Sequence, residues 1–471
     1  MSEDLHFGTI AGIAALIRAR RLSPVELTKS VLARIDRLDG RLHSYATVMA
    51  EQALATAERA AAEVAAGGWR GPLHGVPVAV KDLCFTAGVR TMGGARVLAD
   101  HVPEFDATVV TRLAAAGAVL LGKLNLTEGA MGGYHPEFPV PCNPWDPGRW
   151  AGASSSGSGV ATAAGLCFGS LGSDTGGSIR FPAACNGTVG LKPTWGRVSR
   201  YGVLALAESL DHVGPLTRSS ADAGIMLQAI AGADRNDPTA LPVPAPEVPA
   251  PLDRRGERLE GIRIGFDERY AVRDVDAQVS AAVAAAVDVL AGLGAEIVEV
   301  RLPDVDEYVA AWSVLCPAEA VAAHRATYPS RRAEYGAFFR GWLDLGARVS
   351  GAEYAAANNA RAALSGHLRT AFEHIDALAC PAMPDLPFPV TPEELRSSPP
   401  VVDEGLYRLQ RFTVPFDYNG APTLTLPCGL SSEGLPLALQ LAGKPLAEPL
   451  LCRLGAAYEA ATEWHTLHPG L

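Results

Sequence analysis

Residues 157–187 read GSGVATAAGLCFGSLGSDTGGSIRFPAACNG. Inside this stretch a helix of small residues gives way to a strand and then to a glycine-rich turn. The same alternation recurs on both sides. LHGVPVAVKD (73–82) is a short apolar run ending on Lys81-Asp82, which reads as a buried strand. ATVVTRLAAAGAVLLGKLN (107–125) reads as helix, glycine turn and strand. IRIGFD (262–267), a helix through 277–293 and AEIVEV (295–300) make a further strand–helix–strand unit. APTLTLPCGL (421–430) and LPLALQLAG (435–443) pair as a last strand couple before a closing helix. Alternation at this spacing predicts an α/β fold with a largely covered sheet.

The remaining segments fit around that sheet. Residues 1–66 are expected to be helical; SPVELTKSVLARIDRLD (23–39) opens on a Ser23 N-cap with Pro24 at the first position. The motif-bearing core spans about 67–235. DPTALPVPAPEVPAPLDRRGERLEG (237–261) is proline-rich and reads as a surface excursion. Residues 305–375 are mostly helical and carry Trp312, Tyr328, Tyr335, Phe338, Phe339, Trp342 and Tyr354. Strand signals on both sides of the excursion look like members of one sheet, so a single domain over 1–471 is expected.

Composition narrows the function. The net charge of −11 argues against nucleic-acid or anionic-membrane partners. The N-terminus has no signal-peptide pattern and no membrane span. Eight scattered cysteines without a C-x-x-C pair read as reduced, buried thiols of a cytoplasmic protein. Of 40 basic residues only five are lysine: 29, 81, 123, 192 and 444. A chain that prefers arginine this strongly keeps lysine where guanidinium cannot serve, for example where an amine must lose its proton.

No G-x-S-x-G elbow, phosphate loop or dinucleotide fingerprint is present. Asp211-His212 is a weak triad candidate, because adjacent residues rarely point at each other. His465 and His468 lack a third ligand and read as surface residues. What remains is serine, lysine and glycine. Gly176-Gly177 before Ser178 can turn the backbone so that consecutive N–H groups face one point, which suits an oxyanion. An ordinary tight turn would look the same. A serine hydroxyl needs a base, and Lys81, behind the apolar run GVPVAV, is a candidate because burial lowers an ammonium pKa.

Taken together, these segments resemble the amidase signature family. GVPVAVKD (75–82) is similar to its lysine strand, GASSSGSGVATAAG (152–165) to its Gly-Gly-Ser-Ser-Gly-Gly segment, and GSDTGGSIRFPAACNGTVGLKPTWGRVSRYG (172–202) to its nucleophile segment. ESLDHVGPLTRS (208–219) and GLPLALQLAG (434–443) match further blocks, so the resemblance runs from about residue 5 to 465. It implies an α/β/α fold with a large mixed, mostly parallel β-sheet covered by helices on both faces. It makes Ser178 the nucleophile, Ser154 a bridging serine after a cis peptide bond, and Lys81 the base. The two serines lie 24 positions apart, as in the family. The implied oxyanion donors are the backbone N–H groups of Thr175, Gly176, Gly177 and Ser178. Asp174 and Arg180 would brace that loop, and Ala130, Met131 and Gly132 would face substrate. Ala153 and Ser156 depart from the pattern, each standing where the family has glycine.

The chemistry implied is acyl transfer with no metal and no cofactor. Two functions are carried forward. One is a stand-alone hydrolase of small or aryl amides, extending to carbamates (urethanes) or ureas, acting on a small molecule as a monomer or homodimer. The other is the A-type component of a tRNA-dependent glutamine amidotransferase complex. That component resembles KRRI-x-x-G before a helix-ending glycine; here RGWLDLG (340–346) puts Gly341 and Trp342 where arginines would sit, which favours the hydrolase. A catalytically dead binding module is disfavoured because all three catalytic positions are filled.

Overall fold

The computed structural model describes residues 3–247 and 258–471. Short apolar runs between helices become β1 (Tyr45–Val48), β2 (Pro77–Lys81), β3 (Val119–Leu124), β4 (Gly169–Asp174), β5 (Val189–Lys192) and β6 (His212–Thr217). The later half supplies β7 (Arg263–Phe266), β8 (Glu296–Glu299), β9 (Ala377–Pro381), β10 (Thr423–Leu430) and β11 (Pro436–Gly443). These make one sheet in the order β1-β3-β2-β4-β6-β5-β10-β11-β9-β7-β8. Strands from either side of the proline-rich stretch are thus joined by hydrogen bonds. Every residue of β2, β4, β5, β6, β9 and β11 is buried, as expected of strands covered on both faces.

The sheet is mixed, but it is not mostly parallel. β2 runs parallel to β3 and β4, and β7 runs parallel to β8 and β9. The other six pairings are antiparallel. Helical crossovers make parallel neighbours only toward the two flanks. The centre is filled by strands that return beside their predecessors, such as the β10–β11 hairpin.

Ser23 caps the helix Pro24–Leu42 by accepting the Val25 N–H, as read from sequence. Within 10–66 the four-residue β1 interrupts the expected helices. Residues 305–375 fold as the helices Asp306–Val309, Trp312–Ala323, Ala337–Gly346 and Gly351–Ala371. Of the proline-rich stretch, 248–257 lie outside the described residues; 237–245 are tied down through Asp237, which accepts the Arg200 N–H, and through the Pro244 carbonyl, which accepts from Arg197. All eight cysteines are free thiols, and all but Cys142 are buried. Among the described residues no helix is long and apolar enough to cross a membrane.

Candidate active site

Lys81 ends β2, and its side chain is fully buried. Its Nζ lies 2.6 Å from Ser154 Oγ and donates to Ser155 Oγ and Ser173 Oγ, each at 2.9 Å. The Ser155 hydroxyl donates to the Ser173 carbonyl at 3.1 Å, so toward the lysine it only accepts. A neutral amine has two N–H bonds and one lone pair. With Ser155 and Ser173 taking the N–H bonds, the lone pair is left for the Ser154 hydroxyl. Burial lowers the Lys81 ammonium to about 7, against the nearby groups of Asp174, Cys84 and Asp211.

Ser154 follows a cis Ala153–Ser154 peptide bond. The serine run is no flexible linker: Ser154, Ser155, Ser156 and Ser158 are all 0 % exposed, and the helix Ser156–Ala163 starts within it. Gly152 sits at φ +79°, and a Cβ there would lie 2.5 Å from the Pro182 nitrogen, so only glycine fits. Of the two departures from the family pattern, Ser156 accepts a 2.6 Å hydrogen bond from the Tyr134 hydroxyl, which glycine could not do. Ala153 packs against the small cluster around Trp150 and Phe181.

β4 runs out at Asp174, and the turn 175–178 leads into the helix Arg180–Asn186. Asp174 holds this turn. It accepts from the N–H groups of Gly177 (2.7 Å) and Ile179 (2.8 Å) and from the Arg180 guanidinium at 2.7 and 3.0 Å. Burial pushes its carboxyl up, but the Arg180 charge and these donors outweigh that and keep it well below the usual carboxylate range. Arg180 also reaches the Thr413 carbonyl and Asp417 Oδ2, each at 2.7 Å. Arg180 thus holds two carboxylates, Asp174 beside the turn and Asp417 beyond it.

Ser178 is partly exposed, and its hydroxyl makes no hydrogen bond within the described residues. Its carbonyl accepts the Ser155 N–H at 3.3 Å, which joins the glycine turn to the serine run. Of the four expected oxyanion donors, the Gly177 N–H is already committed to Asp174. The N–H groups of Thr175, Gly176 and Ser178 donate to no described residue. Asp211 and His212 do not form a catalytic pair. Asp211 accepts from Thr175 Oγ1 at 2.6 Å and from the Leu206 N–H. His212 Nδ1 faces the Asp174 carbonyl at 3.3 Å, and burial holds its ring neutral.

Ala130 borders a cavity of about 230 Å3 that reaches Ser173, Asp211 and Arg200, and an apolar one of about 140 Å3 lined by Leu83, Met92, Leu98 and His324. Met131 is half-buried, and Phe338 closes over Gly132, where a Cβ would lie 2.3 Å from its ring. Glu128, buried under this segment, accepts the Gly336 N–H at 2.9 Å and ties it to the helix Ala337–Gly346. Sequence reading missed Ser155, Ser173, Glu128, Thr413 and Asp417. The first two stand beside residues already singled out, and adjacency was the available signal. Asp417 is 237 positions from Arg180, and nothing local marks it.

A buried lysine, a serine after a cis bond and a glycine turn with unfilled N–H groups thus lie on the strands and turns of one α/β sheet. The family model Amidase matches residues 26–452, and the chain belongs to the amidase signature family. It is 46% identical over 462 residues to the provisionally named amidase AmiD of Mycobacterium tuberculosis, covering 97% of this chain and 94% of that protein. It is 38% identical over 494 residues to the A-type component of the glutamyl-tRNA(Gln) amidotransferase of Chloroflexus aurantiacus, covering 99% of each. The crystal structure of a bacterial aryl acylamidase of the amidase signature family superposes with a TM-score of 0.86 at 26% identity, covering 98% of this chain and 97% of that one.

Proposed function

We propose that this protein is an amidohydrolase that cleaves the carboxamide C–N bond of a small or aryl amide through a serine acyl-enzyme, with carbamates and ureas as further substrates. The observation that carries this reading is the 2.6 Å approach of a desolvated lysine amine to a hydroxyl in a nest made only of serines. Neutral Lys81 takes the Ser154 proton as Ser154 takes that of Ser178. Ser178 Oγ attacks the carbonyl, and the N–H groups of Thr175, Gly176 and Ser178 hold the oxyanion. Ser154 returns a proton to the departing amine as the C–N bond breaks. Water, activated through the same relay, releases the acid and restores Ser178.

The second reading, the A-type component of an amidotransferase complex, draws on the 38% identity to that protein over nearly the whole chain. Trp342 disfavours it: it is 0 % exposed and packs 5.4 Å from Trp312, so the position where the amidotransferase pattern has a basic residue is part of the core. One experiment separates the two. Purified protein is assayed against primary amides, anilides, carbamates and biuret-like ureas, and for ammonia release from glutamine. The hydrolase reading expects turnover of panel members by the protein alone. Glutamine turnover that appears only with added partner proteins of the amidotransferase complex would establish the other.

A further inference from the structure

The carbonyls of the nucleophile turn are pinned one after another. The Asp174 carbonyl faces His212 Nδ1 at 3.3 Å. The Thr175 carbonyl accepts from Trp312 Nε1 at 2.9 Å, and that of Gly176 from Thr413 Oγ1 at 2.8 Å. The Gly177 carbonyl accepts the Phe181 N–H at 2.7 Å. In a planar trans peptide the C=O and the next N–H point in opposite directions, so fixing one aims the other. The Thr175 carbonyl shares its peptide with the Gly176 N–H, one of the unfilled donors. The next peptide is occupied at both ends, by Thr413 and by Asp174, and forms a rigid rung between the free N–H groups of Gly176 and Ser178.

We propose that Trp312 is a positioning residue for the oxyanion site: its indole N–H holds the Thr175–Gly176 peptide so that the Gly176 N–H faces the reacting carbonyl. This rests on the acyl-transfer reading above. The indole has no room to swing away. It is 2 % exposed, a Cβ on Gly176 would lie 2.8 Å from its ring, and the Trp342 ring packs 5.4 Å from it. Trp312 comes from the aromatic helical segment, 137 positions from Thr175, so that segment reaches the chemistry through the back of the turn. Donors fixed before substrate arrives need no reorganisation as charge develops, which is where such sites draw their effect.

The test is Trp312→Phe, which keeps an aromatic ring and deletes the N–H. The probes are an alkyl fluorophosphonate, whose phosphoryl oxygen uses the same donors when Ser178 is labelled, and the best amide of the panel. Losing an oxyanion donor outright costs about 10²–10³-fold, so a misaimed one is expected to lower kcat and the labelling rate by about tenfold or more. KM is expected to stay within about twofold, because the amide ground state makes little use of these donors. Thr413→Val is expected to act in the same direction and Thr413→Ser to restore the rate. A folded Trp312→Phe protein with unchanged kcat and labelling rate overturns the proposal, as does a rise in KM alone. If Trp312→Phe does not fold, β-(3-benzothienyl)alanine placed at position 312, which keeps the bicyclic shape and lacks the N–H, decides: an unchanged kcat and labelling rate overturn the proposal. Labelling that persists in Ser178→Ala defeats the acyl-transfer reading instead, and is thereby distinguished.

Discussion

Lys81 and Lys192 occupy two regions that look alike. Each ends a strand, each is 0 % exposed, and burial lowers each ammonium to about 7. Their partners differ. Lys192 donates to the carbonyls of Ala421 (2.7 Å) and Pro193 (3.2 Å), which accept hydrogen bonds and have no proton to give. Lys81 is surrounded by hydroxyls, one of which can pass its proton to the amine. Lys123 is a third buried case: it lies 3.2 Å from the Asp82 carboxylate and donates to Thr91 Oγ1 at 2.5 Å, but that hydroxyl gives its own proton to the Val89 carbonyl. Burial makes a lysine able to lose its proton, and a neighbour with a proton to deliver makes it a base. A lowered pKa alone does not distinguish the two.

The comparison breaks first at Ser178. Ser178→Ala is expected to lower kcat by about 10⁴-fold or more and to abolish fluorophosphonate labelling. Mass spectrometry of the labelled peptide checks it; a label on another serine refutes the assignment.

Lys81→Arg comes next. Guanidinium does not give up its proton, so the loss should equal that of Lys81→Ala, about 10²–10⁴-fold in kcat. The wild-type pH profile carries the same information. Below about 7 the Lys81 lone pair is protonated, so the rate is expected to fall about tenfold per pH unit toward acid and to level off on the alkaline side. A bell centred below pH 6 would contradict a lysine base.

Lys192→Met sharpens the contrast. Two buried carbonyls lose their donor, which is expected to cost about 1–3 kcal/mol of stability. Activity per folded molecule should stay within a few-fold, and the inflection near 7 should remain. If the inflection disappears with Lys192, the roles given to the two lysines are exchanged.

Ser156→Gly has the smallest expected effect. It restores the family residue but strands the buried Tyr134 hydroxyl, at about 1 kcal/mol or slightly more, read from urea denaturation. A change in kcat beyond about threefold would show that Ser156 does more than hold Tyr134.

How much was legible depends on where the partners lie along the chain. Lys81, Ser154, Asp174, Ser178 and Arg180 sit in short motifs; the structure joins Lys81 to Ser154, Asp174 to Arg180, and the Ser178 carbonyl to the Ser155 N–H. Lysine scarcity singled out five lysines, of which Lys81, Lys123 and Lys192 are 0 % exposed while Lys29 is exposed, and composition could not rank them. β6 carries no clear strand signal. Pro215 stands within it and has no N–H to give, and β5 pairs beside it only at Leu216 and Thr217. The parallel bias was overestimated because strand–helix–strand units are visible locally, whereas the order in which strands enter a sheet is not.

The sequence by itself determined the α/β alternation, the glycine-rich turn and the lysine strand. Each follows from local chemistry: apolar periodicity, glycine's backbone freedom, and a lysine at the end of an apolar run. Only the tertiary structure decided which N–H groups of the turn stay free, which buried lysine meets a hydroxyl with a proton to give, and that Trp312, Thr413 and Asp417 close around residues 174–180. Those outcomes depend on contacts between positions 73 to 237 residues apart, where direction and distance are set by how the sheet and helices pack.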